Sequence, residues 1–89
     1  MYGFIVIEDS YPIQVERLAQ AVNLIFGLRE VNGSARDYYD EFVDGPTEYG
    51  VRMDISGLSP EQAIEQMKSI WQLCVAQYED QEVRLEISA

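Results

Sequence analysis

Ser34-Ala35-Arg36-Asp37-Tyr38-Tyr39-Asp40-Glu41-Phe42-Val43 is the stretch whose reading decides the fold. It lies between two turn signals, Asn32-Gly33 and Asp44-Gly45-Pro46, and residues 36–43 read as a strand that returns through a hairpin to 48–56. A short helix competes for the same residues. Ser34 and Asp37 resemble a capping box, and Ala35, Tyr38, Tyr39, Phe42 and Val43 fall at helical spacing. The strand is preferred because it completes a βαββαβ order, whereas the helix leaves the sheet one strand short.

The flanking segments are plainer. Residues 2–8 are β-branched and aromatic on both alternating faces, the pattern of a central strand. Pro12 suits a first helical turn and opens a helix to about Phe26, closed by Gly27 in a left-handed cap. The spacing assigns Val15, Leu18, Ala19, Val22, Ile25 and Phe26 to its buried stripe and turns Glu16, Arg17, Gln20 and Asn23 outward. Ser59-Pro60-Glu61-Gln62 supplies an N-cap serine, a proline at the first helical position and a glutamine that completes a capping box. The helix it starts runs to about Tyr78 or Glu79 on the stripe Ala63, Met67, Ile70, Trp71, Cys74 and Tyr78, widened by Ile64, Leu73 and Val75. Residues 48–56 and 82–88 alternate with period two, with Val51, Met53 and Ile55 opposed to Arg52 and Asp54, and Val83, Leu85 and Ile87 opposed to Arg84 and Glu86.

These elements predict a ferredoxin-like α+β domain, a four-stranded antiparallel sheet of order 4-1-3-2 with two helices on one face. All 89 residues belong to this single domain. Two helices cover one face only, so Tyr2, Phe4 and Val6 are left near solvent while Ile5 and Ile7 go to the core. That exposed set, rimmed by Arg52, Asp54, Arg84 and Glu86, leads us to expect a homodimer through the sheet or an edge strand.

Charge narrows the function. Sixteen acidic and six basic residues give −10, a field that repels phosphate backbones and anionic membranes and attracts basic partners. Histidine is absent, which removes the commonest general base and metal ligand. Cys74 is placed on an apolar stripe, as a structural thiol would be. The carboxylate pairs Glu8-Asp9, Asp40-Glu41 and Glu79-Asp80 are only sequence neighbours, and neighbours on a strand point to opposite faces. No calcium loop, phosphate-binding glycine loop or RNA-binding signature is present. We therefore expect no catalytic residue, cofactor or metal. The single cysteine and the short, acid-terminated start Met1 to Asp9 predict a cytoplasmic protein without a signal peptide.

The local stretch that suggests a job is again the hairpin. Asp37, Asp40, Glu41, Asp44 and Glu48 surround Tyr38, Tyr39 and Tyr49 with no Lys or Arg among them. Tyrosine offers amphipathic contact area at low entropic cost, and carboxylates steer basic partners, so these eight residues are the expected partner-binding site. In size, acidity and absence of catalytic signatures the chain is similar to phage anti-CRISPR and anti-restriction proteins. That resemblance implies an inhibitor or adaptor that engages the basic, nucleic-acid-binding surface of another protein, its carboxylates standing in for phosphates. An immunity protein or antitoxin against a basic nuclease, and a regulatory module binding a small ligand at a dimer interface, are the alternatives.

Overall fold

In the computed structural model, which describes residues 1–8, 10–28, 33–40 and 48–88, the chain runs β1 (Tyr2–Ile7), α1 (Pro12–Phe26), β2 (Gly33–Asp40), β3 (Glu48–Ile55), α2 (Pro60–Gln77) and β4 (Val83–Ser88). The contested stretch is a strand as far as Asp40. Residues 41–43 and the turn signals at Asn32 and Asp44-Gly45-Pro46 lie outside the described residues. The four strands form one antiparallel sheet of order β2-β3-β1-β4, the ferredoxin-like arrangement expected.

Cross-strand register sets which side chains share a face. Ile5 pairs with Val51 and Leu85, Ile7 with Tyr49 and Val83, and Ala35 with Met53. Most of this face is sealed by the helices, and Ile5, Ile7, Val51 and Met53 are buried with Val15, Val22, Met67 and Ile70. The opposite face carries Tyr2, Phe4, Val6, Arg52, Asp54, Arg84 and Glu86 in register. Of the apolar set expected near solvent only Tyr2 is exposed; Phe4 is half-buried, and Val6, between Gly50 and Arg84, is buried.

Both helix starts follow local chemistry. Ser59 Oγ accepts from the Gln62 N–H at 3.2 Å and Gln62 Oε1 accepts from the Ser59 N–H at 3.2 Å, which satisfies two otherwise unpaired donors. At α1, Gln14 Oε1 accepts from the Tyr11 N–H at 2.9 Å, and Gly27 closes the helix at φ 56°.

Several expected details differ. Ile25 is 63 % exposed, and Leu73 and Val75 are also exposed, although spacing had assigned them to buried stripes. Each helix packs mainly on the sheet, and Ile25 and Leu73 border a cleft of about 330 Å³ left between α1 and α2. Asn23, expected outward, is half-buried. Its Nδ2 donates to the Ala35 carbonyl at 2.6 Å and its Oδ1 accepts from the Ala35 N–H at 2.8 Å. On the other edge strand, Trp71 Nε1 donates to the Val83 carbonyl at 2.9 Å, and the half-buried indole packs against the core. Each helix thus braces one sheet edge, closing backbone groups that would otherwise invite a foreign strand.

Gly50 of β3 lies opposite Val6 of β1. A Cβ there would run into the Ile5 carbonyl and crowd the Val6 backbone. Gly50→Ala is therefore expected to destabilise the domain by about 3 kcal/mol or more in urea unfolding, since rigid backbone cannot yield as a side chain can. A loss under about 1 kcal/mol would show that the strands separate more easily than this geometry allows.

Candidate functional site

The strand order sends three connections to one end of the sheet. β1 leaves at Ile7, opposite Tyr49 of β3 and Val83 of β4, and β2 leaves at Asp40, opposite Glu48. The ends of β1 and β2 and the starts of β3 and β4 therefore gather at this end. Their flanks are tied together, with the Glu8 N–H donating to the Glu82 carbonyl at 2.9 Å and Gln81 Nε2 donating to the Glu8 carbonyl at 2.8 Å.

This end is acidic. Glu8, Glu79, Asp80 and Glu82 are exposed there, joined by Asp40 and Glu48 at the hairpin. Asp37, also exposed, lies further down β2 opposite Val51. The register divides the expected site between the two faces: Asp37, Tyr39 and Tyr49 take positions on the face of Val51, and Tyr38, Asp40 and Glu48 take positions on the face of Arg36 and Arg52. Glu41 and Asp44 lie outside the described residues. Tyr49 is half-buried and packs against the core, so it supports the hairpin as well as bordering its surface.

Two placements at this end oppose fold stability. Asp40 and Glu48 sit directly across from each other, a like-charge pair in a position where opposite charges stabilise. Glu79 and Asp80 follow the C-terminus of α2, whose last turn carries no basic residue, so they meet the negative end of the helix dipole. Local rules broken together at one place are a mark of a site kept for function.

The sheet face away from the helices takes Arg36, Arg52 and Arg84 of the chain's six basic residues, together with Asp54 and Glu86. Asp54 bridges two of them, 3.1 Å from Arg52 and 3.6 Å from Arg36, and offsets the repulsion of these directly opposed arginines. The Arg52 guanidinium lies 4.3 Å from the Tyr2 ring centroid.

Chemistry elsewhere is sparse. Burial pushes the Cys74 thiol up to about 11, which keeps it protonated and a poor nucleophile at neutral pH. Among the described residues no group of three or more His, Cys, Asp or Glu could hold a metal ion, and no helix is long and apolar enough to cross a membrane. Comparison with known protein families, curated proteins and solved structures finds no match.

The hairpin carboxylates of the expected site were visible in sequence, but Glu8, Glu79, Asp80 and Glu82 were not joined to them. The available signal was topological: in a βαββαβ chain the first, third and fifth connections share one end. If the acids oppose stability, the combined variant Glu48→Gln/Glu79→Gln/Asp80→Asn unfolds at higher urea concentration than the parent. The expected gain at low salt is about 1 kcal/mol, shrinking as salt is added. A loss of stability would assign these carboxylates a structural role instead.

Proposed function

We propose that this protein is a small acidic inhibitor or adaptor whose carboxylate-lined end engages the basic, nucleic-acid-binding surface of another protein. The observation that supports this reading is the collection of Glu8, Asp40, Glu48, Glu79, Asp80 and Glu82 at one end of the sheet. Net charge alone needs no such arrangement, because acids spread over the surface would keep the chain soluble equally well. Concentrated at one end, they produce a directional field that steers a cationic partner and imitates a short run of phosphates. Tyr38 and Tyr39 belong to β2 of the same hairpin, and tyrosine is a residue type suited to amphipathic contact. An immunity protein or antitoxin acting on a basic nuclease would use the same end.

The test is capture on immobilised protein from a nuclease-treated lysate of the source organism. Wild-type chain is expected to retain a basic nucleic-acid-binding protein, to release it as salt rises through a few Debye-length changes, and to lose it to competing heparin. The variant Asp40→Asn/Glu48→Gln/Glu79→Gln/Asp80→Asn/Glu82→Gln should retain none while keeping its folded circular-dichroism spectrum. Equal retention by both proteins, or no retained basic protein, would overturn the reading.

A further inference from the structure

We propose that the open face of the sheet is a docking surface for a second copy of this chain, with the two copies related by a two-fold axis parallel to the strands between β3 and β1. Across the face, one transverse row reads Arg36, Arg52, Phe4, Glu86 from β2 to β4. Turned over by that axis, the row becomes its own complement. Arg36 meets Glu86 of the second copy, and Arg52 meets Phe4 of the second copy, a cation over an aromatic face. In the adjoining row Asp54 meets Tyr2 of the second copy, a carboxylate against a phenolic hydroxyl that can donate to it.

The outermost members of the row are poised for exchange. Arg36 is 61 % exposed and 3.6 Å from Asp54, and Glu86 is 59 % exposed and 4.0 Å from Arg84. Such loose, solvated pairs contribute little within one copy, so re-pairing across an interface costs little. Aligned sheets cross at roughly −30°, which offsets β2 from the facing β4 by about 4 Å, a gap that arginine and glutamate side chains span.

The braces at Ala35 and Val83 occupy backbone groups at one position of each edge strand, which disfavours edge-to-edge pairing there. The face is small. Six residues of β1 and four strands give roughly 20 by 19 Å, the size of a weak, reversible contact and not of an obligate dimer.

Sedimentation equilibrium of the full chain in about 150 mM salt, where repulsion between the acidic ends is screened, tests this. Wild type is expected to pass from the 10.2 kDa monomer to twice that mass across the micromolar range. Arg36→Glu and Glu86→Arg should each weaken the dimer at least about tenfold, because each converts two attractive pairs into two repulsive ones. Mixed one to one, these two variants should recover a heterodimer within about threefold of wild-type affinity, since every pair across the axis is again opposite in sign. The milder variants Arg36→Gln and Glu86→Gln give the same direction should either charge reversal fail to fold. A wild type that stays monomeric, single variants that dimerise as wild type does, or a mixture that stays monomeric would each overturn the proposal.

Discussion

The close approach of β1 to β3 at Gly50 is the constraint on which the rest of the structure depends. With no Cβ at that position, β3 can lie against β1, and Val51, Met53 and Ile55 then fall into register with Ile5 and Gly3 beneath the helices. Both central strands are thereby committed to one buried face. Every element outside them, including β2, β4 and the two helices, is added to that pair. The placement of the connections follows from the same pairing, because antiparallel neighbours on both sides of β1 and β3 fix which ends meet.

From this geometry a division of the surface emerges. One end of the sheet holds carboxylates, the open face holds Arg36, Arg52 and Arg84, and the helices close the remaining side and brace both edges. A net charge of −10 gives no hint of this partition. The contrast matters physically because the arginines of the face are paired with Asp54 and Glu86, whereas the carboxylates gathered at the end of the sheet present a defined surface to a cationic partner. The proposed dimer sets the two acidic ends against each other, since Asp40 and Glu48 continue the rows of the docked face beyond Arg36 and Arg52, so a cationic partner bound at that end and a second copy on the face are coupled through charge.

What could be read from the chain beforehand depended on whether its cause was local. The start of α2 was readable because Ser59, Pro60 and Gln62 act within one turn of each other, and Gly27 because a left-handed cap needs little beyond itself. The 34–40 stretch was ambiguous locally, since its tyrosines satisfy both periods. Pairing of Ala35 with Met53 and the hold of Asn23 on Ala35 are long-range interactions that no window of sequence contains. Ile25 was misjudged for the same kind of reason. Its position on the α1 stripe is sound, but the cleft between the helices leaves that side of the stripe open. At the candidate site the hairpin acids were visible as a run, while Glu8, Glu79, Asp80 and Glu82 belong to it only through topology.

The central claim is that the acids at one end of the sheet act together as a single cation-recognising surface. Its most direct measurement is a titration of isotopically labelled protein with a short arginine-rich peptide, followed by backbone amide chemical shifts. The account predicts that the largest changes fall together at Glu8, Asp40, Glu48 and Glu79 to Glu82, and that they titrate with one common affinity. Changes spread evenly over the surface, or largest around Glu61 and Glu65 on α2, would contradict it.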